Sequence, residues 1–255
     1  MNEKELIKAC EDGNLENVKS IIKSGGVNIN TKNSDGETAL IVASSCLYLE
    51  IVRYLIKNGA KINKENGYGW TALMCASMNG SLDTVKYLIK QGANINKNGE
   101  GWTALMWASY SGHLEIVKYL IDNGADVNIK NNQDETVLIK VLISYIKFFK
   151  YTENNTDMKI IKHAILNRYL EIVKYLINNG ANLDEKDKHG NTALILASSN
   201  GHLKIVKYLI NINNTANVNI KNNEGKTALD LAKENGYKEI VEILKSAGAK
   251  HGNEI

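Results

Sequence analysis

The chain has 255 residues, with 31 Lys and Arg against 28 Asp and Glu; a net charge of +3 is too small for a protein dedicated to binding nucleic-acid phosphates. Hydrophobic residues at 44% and charged residues at 23% match ordinary globular usage, which excludes disorder along the whole chain. Three cysteines, Cys10, Cys46 and Cys75, show neither CxxC nor Cys/His metal spacing, so a reduced cytoplasmic setting without metal or cofactor is expected. No apolar run reaches the length of a signal peptide or a membrane span, and no membrane association is expected. Pro is absent, and the only two Phe, Phe148 and Phe149, are adjacent, which marks one stretch as different.

Along the chain, a Thr opens a Thr-Ala-Leu or Thr-Val-Leu element at Thr38, Thr71, Thr103, Thr136, Thr192 and Thr227, with separations of 33, 32, 33, 56 and 35 residues. Gly-Ala closes the units at Gly59, Gly92, Gly124, Gly180 and Gly248, with Thr215 in place of Gly before Ala216. Between them runs a third marker, as in EIVRYLI from Glu50, DTVKYLI from Asp83 and EIVKYLI from Glu115 and Glu171. Three markers with one period define a repeat array, so length does not count its domains. In chain order the array predicts an N-terminal cap over 3–30, internal units over 31–63, 64–96, 97–128, 129–184 and 185–219, and a C-terminal cap over 220–250, all in a single domain over 1–255. The last unit has a polar outer face, including Lys233, Glu234, Lys238 and Glu242, that suits a cap.

The copy over 97–128 shows how a unit works. Gly101 permits a tight turn, Thr103 caps a short helix over Ala104 to Tyr110, and Gly112 ends it. A second helix over His113 to Asp122 places Leu114, Val117, Leu120 and Ile121 on one stripe, and Gly124 stops it. Ala125 to Lys130, where Val127 and Ile129 alternate with polar neighbours, is expected to be extended. Two short helices cannot bury an apolar stripe alone, so the units must stack.

The Gly-x-Thr-Ala-Leu, Gly-His-Leu-Glu-Ile-Val and Gly-Ala-x-Val-Asn segments resemble the ankyrin-repeat family over almost the whole chain. The resemblance implies an all-α solenoid of about seven repeats that works as a noncatalytic protein-binding module. The family's usual Thr-Pro-Leu-His is altered: Ala39, Ala72, Ala104, Val137, Ala193 and Ala228 take the Pro place, and Ile41, Met74, Met106, Ile139, Ile195 and Asp230 the His place. The usual Thr-to-His hydrogen bond is therefore not expected. Leu47 and Tyr48 replace Gly-His in the second unit, where a distorted turn is expected.

The fifth unit carries 23 extra residues, placed at about 144–166. Leu138, Val141, Leu142, Tyr145 and Phe149 extend the first helix to about Tyr151; a polar turn over Thr152 to Asp157 follows, and Asp157 caps another helix to Asn167, so three helices are expected. Either Phe148 and Phe149 pack this outgrowth against its neighbours or they form a second contact site.

In ankyrin-like stacks the fingers and the ends of the first helices face partners. The resemblance places Tyr68, Trp70 and Met78 there in the third unit, Glu100, Trp102 and Tyr110 in the fourth, and His189, Asn191 and Asn200 in the sixth. The aromatic middle reads as a protein-binding hot spot, since Trp and Tyr bury large rigid area; the alternative is that Trp70 and Trp102 stack on each other to stiffen the array. Trp107 aligns with Val42, Cys75 and Leu196 and reads as core. Tyr54, Tyr87, Tyr119, Tyr175 and Tyr208 alternate with bases, but Glu50, Glu115 and Glu171 sit three residues before Arg53, Lys118 and Lys174, so a nucleic-acid partner is not expected.

No catalytic or metal constellation stands out, and His113 and His202 read as scaffold within Gly-His-Leu turns. The expected function is noncatalytic binding of a folded protein on the concave face by a monomer. The alternatives are an inhibitor or effector acting through the inserted helices, with host-cell delivery if it is an effector, and a structural spacer.

Overall fold

A computed structural model describes residues 2–153, 159–211 and 216–255, which form two compact units, 1–126 and 127–255. The described residues hold fourteen α-helices and one short 3-10 helix, with no strand among them. In the first unit these are α1 (Asn2–Glu11), α2 (Leu15–Lys23), α3 (Ala39–Ser45), α4 (Leu49–Lys57), α5 (Ala72–Asn79), α6 (Leu82–Lys90), α7 (Ala104–Tyr110) and α8 (Leu114–Asp122). The second unit has α9 (Val137–Glu153), α10 (Lys159–Asn178), α11 (Ala193–Ser199), α12 (Leu203–Asn211), α13 (Ala228–Glu234), α14 (Lys238–Ser246) and the 3-10 turn Gly252–Glu254.

Each short first helix starts where a Thr hydroxyl accepts an N–H of the first turn: Ile41 on Thr38, Met74 on Thr71, Met106 on Thr103 and Ile195 on Thr192. These helices are buried on nearly every side, because they stack on one another and on their own second helices: α1 on α3, α3 on α5 and α5 on α7 in the first unit, α9 on α11 and α11 on α13 in the second. Ile41, Met74, Met106, Ile139 and Ile195 are each 1% exposed, so apolar packing replaces the absent Thr-to-His bond there. In the last unit Asp230 takes a different route. Its carboxylate accepts from the Thr227 N–H and hydroxyl in a capping box, which restores a polar bond that was not expected at this place. Second helices contribute Val52, Leu55, Val85, Leu88, Val117 and Leu120, and each buried side chain of this size stabilises by about 2 kcal/mol.

A positive φ lets the chain turn between the two helices of a unit, at 85° for Gly80, 75° for Gly112 and 74° for Gly201. Leu47 adopts the same conformation at 66°, and the Tyr48 N–H still reaches the Ala43 carbonyl at 3.0 Å. The turn is therefore kept rather than distorted, at the steric cost of a side chain with positive φ. Leu47→Gly is expected to raise stability by about 1 kcal/mol in a urea melt, because Leu47 is 47% exposed and loses little burial.

The fifth unit behaves differently from expectation. Between Thr136 and Gly180 there is no Gly, so nothing breaks the helices: α9 runs 17 residues and α10 runs 20, fusing the expected extra helix with the unit's second helix. Two long helices replace the three expected. The proposed cap Asp157 and the Gly substitute Thr215 lie outside the described residues.

The fingers also depart from a simple extended segment, since all but one turn at an Asn, the exception being Asp184, which accepts from the Asn217 N–H at 2.9 Å. Asn63 donates to the Gly92 carbonyl at 3.2 Å and accepts from the Asn94 N–H at 2.8 Å; Asn30, Asn96, Asn128 and Asn219 repeat both bonds onto the next Gly-Ala loop. This ladder of carboxamides ties successive units together. Asn63→Ala removes one rung and is expected to cost about 1 kcal/mol, read as an earlier urea midpoint.

Candidate functional site

The aromatic cluster lies in the first unit and is built from the turns upward. The side-chain oxygen of Asn66, itself buried, accepts from the Tyr68 and Trp70 N–H groups at 2.9 Å each, which fixes the finger that carries both rings. The next finger is one residue shorter. There Gly99 and Trp102 exchange backbone bonds at 2.9 and 2.8 Å around Glu100 and Gly101, whose φ values of 46° and 85° make a two-residue hairpin turn. Glu100 stands exposed at its tip.

Trp107, on α7, is the centre of the cluster. Its ring stacks on Trp102 at 4.1 Å and meets Trp70 edge-on at 4.6 Å; Tyr110 closes one side, 5.6 Å from Trp102 and 6.2 Å from Trp107, and Tyr68 extends the other, 6.1 Å from Trp70. The expectation that Trp107 is core is therefore corrected. The place that holds a Cys75 side chain 2% exposed is too small for an indole, so Trp107 emerges half-buried between the two finger tryptophans. Its Nε1 is buried without a hydrogen-bond partner. Tyr68 is 56% exposed and Tyr110 39%, while Trp70 and Trp102 are half-buried. All three tryptophans of the chain thus sit in one patch, with Trp107 between the two that the sequence paired directly.

Met78 is half-buried at the end of α5, where its carbonyl lies 3.0 Å from Nε2 of His113. In the second unit His189 is exposed, with its N–H bonded to Asp187 at 2.9 Å. Asn191 bonds Asp187 and Asn222, and Asn200 bonds the Leu196 carbonyl and Ser199, so both carboxamides are engaged within the fold. Phe148 and Phe149 are both half-buried, and Phe149 packs 6.4 Å from Tyr145 and 5.2 Å from His202. At the two places that hold Trp102 and Trp107 in the fourth unit, the fifth has Glu135 and Lys140, joined by a 2.8 Å ion pair. One pair of positions thus carries an aromatic stack in one unit and a salt bridge in another.

The basic ladder is paired as the spacing implies: Glu50 with Arg53 at 3.4 Å, Glu115 with Lys118 at 3.0 Å and Glu171 with Lys174 at 2.7 Å. Sequence reasoning missed that the same cations also lie over the tyrosine of the following unit, Arg53 4.6 Å from Tyr87 and Lys174 5.9 Å from Tyr208. Burial pushes the Cys75 thiol up to about 11 and the Cys10 thiol to about 12, which leaves both unreactive. Among the described residues no group of His, Cys, Asp and Glu could hold a metal, and no helix is long and apolar enough to cross a membrane.

A helix pair repeated along the chain and joined by Asn- and Gly-turned fingers defines a helical repeat solenoid. The family described as ankyrin repeats (3 copies) matches residues 2–66, 63–131 and 161–254, and the chain belongs to that family, whose members are generally protein-interaction modules and typically noncatalytic. The match leaves out 132–160, which contains the extended part of α9. Among curated proteins, an L-asparaginase from Dirofilaria immitis is 31% identical over 98 residues, 32% of this chain; the match spans only 17% of that protein's length.

Proposed function

We propose that this chain is a noncatalytic adaptor that binds a folded protein partner through Tyr68, Trp70, Trp102, Trp107 and Tyr110. The observation that carries this reading is the exposure of Tyr68 and Tyr110 on a contiguous five-ring patch, which a purely stiffening stack would bury. Rigid rings preorganised on one another lose little entropy on docking. Met78 and Glu100, from neighbouring repeats of the same compact unit, flank the patch, with the acid suited to a basic rim on the partner. His189, Asn191 and Asn200 belong to this reading as a second, polar contact area; of these, His189 has the side chain most open to a partner. The division into seven repeats of one array, acting as a monomer, is part of the same proposal.

The sequence shared with the asparaginase spans 17% of that protein and is read as repeat rather than catalytic domain, so no such activity is assigned. The packing of Phe149 on Tyr145 and His202 within its own compact unit favours the aromatic patch over the inserted helices as the partner contact. Affinity capture with the tagged chain, compared with the Trp70→Ala/Trp102→Ala variant, tests the proposal.

A further inference from the structure

The compact unit over 127–255 contains a cavity of about 550 Å³ between the extension of α9, the first half of α10 and the turn that opens α12. Tyr145, Phe149, Leu166 and Leu170 supply its apolar walls, and His163, Asn167, His202 and the exposed Lys204 supply its polar lining. Its size is that of a small-molecule site.

His202 is the unexplained group. The ring is 6% exposed, packed edge-on against Tyr145 at 4.8 Å and Phe149 at 5.2 Å, and its Nε2 has no hydrogen-bond partner. The same Gly-His-Leu turn occurs at His113, where Nε2 sits 3.0 Å from the Met78 carbonyl at the end of the preceding unit's first helix. That carbonyl is an acceptor, so Nε2 of His113 carries the proton. Ahead of His202 the equivalent place is Ile143, which lies inside α9, where the helix continues and uses its own carbonyls. The long α9 has thus removed the acceptor of His202 and set two aromatic rings in its place. A buried polar nitrogen left in an apolar cavity costs stability unless something fills its valence.

The charge at the cavity mouth points to the sign of that group. Among the described residues no Asp or Glu lines the cavity, whereas Lys204 lines it and Lys150 acts electrostatically on His202. We propose that the cavity binds a small apolar carboxylate, with Nε2–H of His202 donating to the carboxylate, Lys204 and Lys150 drawing the anion in, and Tyr145, Phe149, Leu166 and Leu170 enclosing the apolar body. The inference is independent of the adaptor reading, because it concerns the other compact unit and a different class of ligand.

The test is titration of the full chain at pH 7 with 4-phenylbutyrate and octanoate, followed by calorimetry and by the nitrogen-15 signals of the histidine rings. The uncharged 4-phenylbutanol serves as control. At least one carboxylate is expected to bind saturably at one site with Kd below about 1 mM, to move the His202 Nε2 signal and to outbind the alcohol by about tenfold. His202→Phe, which suits the apolar surroundings, is expected to weaken binding by about tenfold. Leu166→Trp fills the cavity while keeping His202, and is expected to abolish binding; it decides the matter if His202→Phe does not fold. The proposal is overturned by the absence of saturable binding up to about 10 mM, by undiminished binding to the folded variants, or by equal affinity for the alcohol.

Discussion

Trp70→Ala/Trp102→Ala is expected to weaken partner binding by about a thousandfold, since each anchor contributes about 2 kcal/mol at the centre of such a patch. The same substitution strips both faces of Trp107, which packs 4.1 Å from Trp102 and 4.6 Å from Trp70, so the melt is also expected to move down by an amount equivalent to about 1–3 kcal/mol. Binding and stiffening are therefore not alternatives for these rings, and a second variant separates them. Tyr68 and Tyr110 are the more exposed members, and Tyr68→Ala/Tyr110→Ala is expected to weaken capture by at least tenfold while leaving the melt nearly unchanged. Capture that survives in both variants, or declines only in step with lost stability, would leave the patch a structural stack. Because all three tryptophans lie in the cluster, their fluorescence reports on the same surface and should shift when the partner docks.

Acidification is expected to weaken the second unit through His202. Burial, reinforced by the nearby Lys150, lowers its pKa from the usual 6.5 to about 4. Between these values the unfolded chain binds a proton that the folded ring refuses, so folding stability falls as pH drops through the window. The loss over the whole window is of the order of 3 kcal/mol. Urea unfolding at pH 7, 5.5 and 4.5 should show it, and His202→Phe should remove most of the dependence while being no less stable than wild type at pH 7. An unchanged pH slope in that variant would refute the assignment.

Asp230 acts lower on the scale. Burial raises its pKa, but hydrogen bonds from Thr227, His251 and Gly252 outweigh this and hold it at about 2. Its stabilisation is present above the ordinary carboxylate value of 3.8 and is lost as pH falls toward 2, below the range in which His202 acts. The two groups are thus separable by pH alone.

Local chemistry made the repeat legible before any packing. Thr at the caps, Gly at the turns and an apolar stripe every 33 residues or so act within a few residues of themselves, so helix positions and the repeat family were readable without a partner element. Trp70, Trp102 and Tyr110 were legible as candidates for the same reason, being aromatic at finger and helix-end places where other units are polar. Trp107 was not, because alignment with Val42 and Cys75 compares register and not volume; only packing shows that an indole cannot enter a cysteine-sized place. The fusion of the expected extra helix into α10 has a local signature in the missing Gly, yet where α9 and α10 lie against the next turn depends on contacts far apart in the chain. The fate of His202 shows the difference most directly. His113 and His202 sit in matching Gly-His-Leu turns, and the tertiary structure alone decides that one finds a carbonyl and the other an apolar cavity, because the acceptor is supplied, or withheld, by the preceding unit.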